Sequence, residues 1–314
     1  MKCFPVFACA YAKRLAAASE RFALQVYDAG GADAKARATR KGADPFGELG
    51  EASACPGLKQ RFPDRVLVMA ADRCFMNCRH CTRRWLLGAA QTVDTPERLA
   101  RCVEYVRERP EVRDVLVSGG DPLTLPDAKL LEIVDAFASL PQIDVVRVCT
   151  RAPCVNPARV DAKLARALGR SGKVWVNTQF NCADEVAPEA RAAAARLVGN
   201  GIPVSCQTVL LKGVNDSAEE MLRLFRALSA ARIRPYYVFM CDPVAGTGRF
   251  RVPLRKAVAI ERKCAESIGG LAMPRFVLDL PGAKRKTPVF EELVRAERQR
   301  KARQAGSRVA SLHA

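Results

Sequence analysis

Thirteen cysteines run through this chain of 314 residues, and three of them, Cys74, Cys78 and Cys81, stand at CxxxCxxC spacing within AspArgCysPheMetAsnCysArgHisCysThrArgArg (72–84). Three thiolates at that spacing can bind three irons of a cubane iron–sulfur cluster and leave the fourth iron open to a non-protein ligand. A structural zinc site would need a fourth protein ligand, and His80 is too tightly placed beside Cys81 to serve. Three cysteines that merely pack are the bland alternative. An odd cysteine count spread over a long chain reads as reduced thiols, not as a disulfide framework. The only histidines are His80 and His313, which leaves a Ser-His-Asp triad, a multi-histidine zinc site or a histidine acid–base pair without its residues.

The elements that must position these cysteines follow from hydrophobic patterning. ValLeuValMetAlaAla (66–71) is a continuous apolar run of the kind shown by a strand buried on both faces, and the cysteines lie in the loop just past it. Further strands are predicted at 114–118, 144–149, 174–178, 203–208, 235–240 and 274–279. Helices alternate with them at 95–109, 127–139, 160–170, 187–199, 217–231 and 254–268, and a charged helix begins at about 289. Strands separated by helix-length segments make right-handed βαβ units and a parallel sheet. Six or seven units point to an α/β fold, a partial or complete TIM-type (βα) barrel, with polar residues recurring at the C-terminal strand ends where such barrels keep their sites. The expected organisation is a helical N-terminal extension over 1–55, with a loop signal at Ala29-Gly30-Gly31, a barrel core over 56–288 and a basic C-terminal helix or tail over 289–314.

Composition narrows the classes further. With 49% hydrophobic and 27% charged residues the chain is neither collagen-like nor largely disordered, and no run of about 18 apolar residues exists to span a membrane. The opening MetLysCysPheProValPhe is interrupted by Pro5 and closed by Lys13-Arg14, so it is not read as a signal peptide, and a cytoplasmic protein is expected. The net charge of +18 is partly local, with nine Lys or Arg against three Glu over 281–314. A nucleic-acid partner is not expected, because no recognition module accompanies the charge and a solvated basic helix explains it.

The cysteine loop followed, after the next strand, by SerGlyGlyAsp (118–121) resembles the radical S-adenosylmethionine (SAM) superfamily. The resemblance implies a [4Fe-4S] cluster on Cys74, Cys78 and Cys81, whose open iron chelates SAM, and a turn of Ser118, Gly119, Gly120 and Asp121 lying against the SAM amino group. Further blocks are similar to the lysine 2,3-aminomutase family from about 56 to 288: ProGlyLeuLysGlnArgPheProAspArgValLeu (56–67), CysArgHisCysThrArgArg (78–84), ThrArgAlaPro (150–153), AsnThrGlnPheAsn (177–181), GlnThrValLeuLeuLysGlyValAsnAsp (207–216), ArgProTyrTyr with CysAspPro (234–243), and PheValLeuAspLeuProGlyAlaLysArgLysThrPro (276–288).

Carried over position by position, that resemblance assigns the catalytic lysine, which holds pyridoxal 5′-phosphate (PLP) as a Schiff base, to Lys286. The neighbouring Lys284 and Arg285 would lower its pKa. Arg61 and Arg65 would sit near the PLP phosphate. Gln207 would contact SAM, as would Gln179, which stands where the family has a histidine. Arg83 would take the substrate's α-carboxylate, and Asp242 and Asp279 its ε-ammonium. The expected activity is an isomerase moving the α-amino group of L-lysine from C2 to C3 to give β-lysine, with a flavodoxin- or ferredoxin-type reductant. The alternatives are an aminomutase acting on arginine or on a lysine destined for elongation factor P, or a radical SAM enzyme without PLP. Departures from the family are the loop GlyAlaLysArg (282–285), Arg249 in place of a histidine, and Ser217 in place of a cysteine that shares a zinc between subunits. Only 28 residues, none of them cysteine, follow Lys286, so no zinc and an altered oligomer are expected.

Overall fold

A computed structural model of the chain describes residues 4–28, 44, 46–47, 55–84, 87–88 and 92–312, with side chains to residue 300. The loop signal at Ala29-Gly30-Gly31, and His313, lie outside the described residues. A nine-stranded sheet runs in sequence order. It begins with β1 (Leu58–Phe62), antiparallel to β2 (Arg65–Ala71). Then β3 (Asp114–Gly119), β4 (Val145–Cys149), β5 (Val174–Gln179), β6 (Val204–Leu210), β7 (Arg234–Met240) and β8 (Arg275–Leu278) follow, each parallel to the last. The short β9 (Thr287–Pro288) turns back antiparallel on β8. Since β1 and β9 stand at opposite edges, the barrel is partial.

Helices lie between the strands: α1 (Ala10–Ala18) and α2 (Glu20–Val26) before the sheet, then α3 (Pro96–Arg107), α4 (Asp127–Ala138), the single turn α5 (Ala152–Val155), α6 (Ala162–Gly169), α7 (Pro188–Gly199), α8 (Ala218–Ala230), α9 (Leu254–Ala265) and α10 (Val289–Leu312). Local chemistry sets several of their starts. Thr95 caps α3 with Pro96 in its first turn, Asp161 accepts from Leu164 N at 2.8 Å to cap α6, and Ser217 accepts from Glu220 N at 3.3 Å to cap α8. Ser217, the position of the family's zinc-sharing cysteine, is thus a helix cap. Among the described residues no helix is long and apolar enough to cross a membrane.

Valines seat the helices on the sheet. Val68, Val117, Val148, Val176 and Val204 stand in register across β2–β6, none more than 4% exposed, with Val66, Val115, Val146 and Val174 forming a second buried row. β-Branched residues suit this surface, and each one buried contributes about 1.5–3 kcal/mol. The opposite, concave face carries Leu67, Leu116, Arg147 and Trp175 in register, all incompletely buried, with Trp175 37% exposed. The expectation that 66–71 is buried on both faces therefore fails at Leu67: in an open barrel one face meets helices while the other meets a lumen that side chains do not fill.

Sequence patterning also missed β1 and β9. β1 is an edge strand with a polar interior, LeuLysGlnArgPhe, and β9 is two residues long. The N-terminal helices share the main core through Ala12, Ala16, Phe22 and Val26.

Candidate active site

The loop after β2 brings Cys74, Cys78 and Cys81 to the wall of a cavity of about 340 Å³. Its position is set from outside the sheet. Phe75 O accepts from Cys9 N at 2.8 Å, Asn77 N donates to Phe7 O at 2.8 Å, and Arg79 N donates to Gln25 O at 2.9 Å. The buried Arg79 guanidinium donates to Phe4 O at 3.0 Å and Pro5 O at 3.1 Å. Residues 4–25 thus clamp the cysteine loop along its backbone.

Burial drives the Cys74 thiol far above the usual thiol range, reinforced by Cys81 and Cys78, and burial with Cys78 pushes Cys81 up to about 12. Such thiols stay protonated unless a cationic centre takes them as thiolates, which inverts the balance. Among the described residues no three His, Cys, Asp or Glu side chains converge on a single-ion position. A cubane fits the arrangement, because each of three cysteines takes a different iron.

Against this loop lies the turn after β3. A Cβ on Gly119, whose φ is +112°, would come 2.2 Å from Ala71 O, and one on Gly120 would come 2.3 Å from Arg73 O. Glycine is required there because two backbones touch: Gly120 N donates to Ala71 O at 2.6 Å and Asp121 N to Arg73 O at 2.7 Å. The buried Asp121 carboxylate accepts from Thr150 Oγ1 (2.6 Å), Arg151 N (2.9 Å) and Leu123 N (3.0 Å), so it clips the turns after β3 and β4 together. Ser118, Gly119, Gly120, Asp121, Gln179 and Gln207 all line the cavity. Ser118 Oγ accepts from Arg83 Nη1 at 3.0 Å, and Gln207 Oε1 accepts from Tyr236 OH at 3.3 Å.

His80 and Thr178 line this wall, and the sequence assigned neither a ligand-binding role. Asn181 Oδ1 accepts from Val209 N at 2.9 Å, which turns its amide nitrogen toward His80 Nε2, 3.3 Å away. Gln179 Nε2 meets the same ring nitrogen at 3.0 Å. His80 is therefore protonated at Nδ1, and burial with Arg151 and Arg84 holds its pKa well below the usual range, so the ring is neutral. His80 Nδ1 and Thr178 Oγ1 are buried without a hydrogen-bond partner among the described residues. Both residues line the cavity, where a polar ligand would satisfy them.

The cavity's far end is charged. Asp279, just past β8, accepts from Arg61 Nη2 at 3.2 Å and Nη1 at 3.3 Å and from the Lys286 ammonium. The antiparallel pairing of Leu278 with Thr287 brings Lys286 back beside Asp279. Burial pulls the Lys286 pKa down, opposed by Asp279; Arg285 instead turns outward to Glu291 at 2.7 Å. The expected lowering by Lys284 and Arg285 is thus replaced by desolvation as the leading cause. Burial followed by Asp279 pushes Asp242 up to about 7. Phe62 and Phe239 lie 5.7 and 5.5 Å from Lys286 Nζ. A partly desolvated lysine with an arginine beside it fits an aldehyde cofactor bearing a phosphate. Arg65 does not line the cavity: it bonds Asp64 at 2.9 Å and stacks on Phe62 at 4.6 Å. Arg249 donates to Tyr27 O at 2.9 Å, tying α2 to the segment after β7.

Known proteins similar to this chain fall in one family. Residues 68–225 match the model of the radical SAM superfamily. An L-lysine 2,3-aminomutase of Fusobacterium nucleatum is 42% identical over 251 residues, covering 80% of this chain and 59% of that one. A putative L-lysine 2,3-aminomutase of Treponema pallidum is 38% identical, covering 79% of this chain and 69% of that one. The chain spans about six-tenths of the length of the Fusobacterium relative. Among solved structures, SuiB of Streptococcus suis bound to S-adenosylmethionine aligns with a TM-score of 0.51 at 16% identity, covering 69% of this chain and 51% of that one, a likeness of fold.

Proposed function

The chain belongs to the radical SAM superfamily and, within it, to the lysine 2,3-aminomutase family, and from that premise we propose that it moves the α-amino group of L-lysine to C3, giving β-lysine. One observation carries the reading: a single cavity is lined at once by Cys74, Cys78 and Cys81 and by Lys286, Asp242 and Asp279. Radical generation and amino-group handling need to share a space closed off from bulk water. Bound there, a [4Fe-4S] cluster with SAM supplies a hydrogen-abstracting radical, and PLP supplies an electrophilic carbon to carry the migrating nitrogen.

The chain's own residues divide the remaining work. Cys74, Cys78 and Cys81 would hold the cluster, and the Gly119–Gly120 turn lies against their loop. His80 Nδ1 and Thr178 Oγ1, with Gln179 and Gln207, offer polar contacts for SAM. Lys286 presents its amine to the PLP aldehyde, and Arg61 is the nearest cation for the phosphate. Arg83, anchored on Ser118 and on Gly119 O at 3.2 Å, is placed for the substrate carboxylate. Asp242 and Asp279 stand beside Lys286, so a substrate carboxylated at one end and cationic at the other is oriented along the cavity. Two carboxylates select lysine over an anionic amino acid, because setting a like charge beside them costs several kcal/mol. A low-potential one-electron donor of the flavodoxin or ferredoxin kind is proposed as the partner that reduces the cluster. With Ser217 engaged as a cap, assembly is proposed to proceed without a zinc at that position.

The test is anaerobic. Protein reconstituted with iron, sulfide and PLP, reduced and given SAM and L-lysine, is expected to form β-lysine by mass spectrometry without net consumption of SAM. Arginine and glutamate are run in parallel. Turnover of arginine in place of lysine would reassign the substrate. 5′-Deoxyadenosine formation without any β-amino acid would leave the radical SAM assignment and remove the aminomutase.

A further inference from the structure

We propose that Arg151 is a positioning residue for the iron–sulfur cluster: its guanidinium donates a hydrogen bond to the sulfur of Cys78 and thereby raises the reduction potential of the cluster. The inference rests on the reading of Cys74, Cys78 and Cys81 as cluster ligands and adds a residue to which that reading gives no role.

The guanidinium is held at both of its terminal nitrogens. The backbone N of Arg151 donates to Asp121 at 2.9 Å, and its Nη2 donates to Gln25 Oε1 at 2.7 Å and Glu185 Oε1 at 3.3 Å. Its Nη1 lies 3.0 Å from Cys78 Sγ. The Arg151 side chain is 9% exposed and that of Glu185 is 0%. Glu185 is itself immobilised, accepting from Gln25 Nε2 at 2.6 Å, Asn181 N at 2.8 Å and Cys154 Sγ at 3.3 Å. With Nη2 pinned at two oxygens, the planar fork aims Nη1 at the sulfur. A guanidinium that served only to balance Glu185 would have no need of this third direction.

The consequence is a differential one. When the cluster accepts an electron, negative charge grows on its sulfur ligands, and a cationic N–H held beside one of them stabilises the reduced form more than the oxidised form. The effect is enhanced by burial, where the local dielectric is low. Arg151 reaches this position through partners on α2 and in the segment after β5, so the N-terminal helices contribute to the electronics of the centre as well as to its shape.

Wild-type protein, Arg151→Gln and Arg151→Lys would be reconstituted anaerobically, checked for full iron and sulfide content, and titrated against potential by the electron paramagnetic resonance signal of the reduced cluster. For Arg151→Gln the ratio of reduced to oxidised cluster at a fixed poise is expected to fall at least tenfold, which for a one-electron couple is 59 mV. Arg151→Lys, which keeps the charge and loses the fork, is expected to fall between. A fully loaded Arg151→Gln cluster with an unmoved potential overturns the proposal and leaves the family reading standing. Wild-type protein that takes up no [4Fe-4S] cluster overturns both. Should the variants not fold, wild-type protein grown on ¹⁵N-arginine decides the matter by pulsed resonance: a guanidinium nitrogen coupled to the reduced cluster is expected, and its absence rejects the contact.

Discussion

Asp242 makes the far end of the cavity sensitive to pH. Its carboxyl titrates at about 7 when folded and at about 3.9 when unfolded, so the folded chain holds the extra proton between those values. The stability this proton brings is complete below the unfolded value and is lost as pH rises through about 7. Thermal stability of the ligand-free protein is expected to decline from pH 5 to pH 8, with a slope that Asp242→Asn flattens. A cationic substrate needs the carboxylate, so its Michaelis constant is expected to fall over the same rise, and Asp242→Asn should abolish that trend. At Gly119, alanine meets both a positive φ and the Ala71 carbonyl; Gly119→Ala is expected to cost upward of about 4 kcal/mol in chemical denaturation, or to give no soluble protein. The cysteine spacing and the Gly119-Gly120 pair were readable because such chemistry is local in sequence. Arg151, His80 and Thr178 were not, since what defines them is a partner, or the lack of one, more than a hundred residues away in the case of Gln25 with Arg151.

The seven parallel strands were legible element by element, because buried valine rows are short apolar runs in any reading frame of the sheet. Less legible were the elements whose role comes from what they touch. α1 and α2 are short, Ala-rich and without a strand to follow, which is the pattern of an appended helix. Yet Ser19 Oγ donates to Asp184 at 2.6 Å and Gln25 supports both Arg79 N and Glu185, so they act as the wall of the cysteine loop. Phe22, wholly buried, is the apolar pin of that wall. Phe22→Ala is expected to cost roughly 3–5 kcal/mol. It should also lower the iron retained after gel filtration relative to an equally destabilising change in α4, such as Phe137→Ala.

Taken whole, the molecule is an incomplete barrel whose concave face stays partly uncovered. Trp175 reports on this directly. Acrylamide is expected to quench an emission component that Trp175→Phe removes, and a closed barrel would protect that component. The partial barrel could be predicted as a class but not as a choice over the complete one, because closure depends on β1 and β9 at the two edges, and those are the strands with the weakest patterning.

The clamp on the cysteine loop also orders events during synthesis. Residues 4–25 and the three cysteines leave the ribosome before Arg151, Asp184 and Glu185, to which some of the contacts that fix them run. The scaffold of the loop is incomplete until residue 185 has emerged, and closing so long a span is slow. Cluster insertion is therefore expected to follow the emergence of residue 185, and a chain stalled before it would display all three cysteines without the full scaffold that holds them.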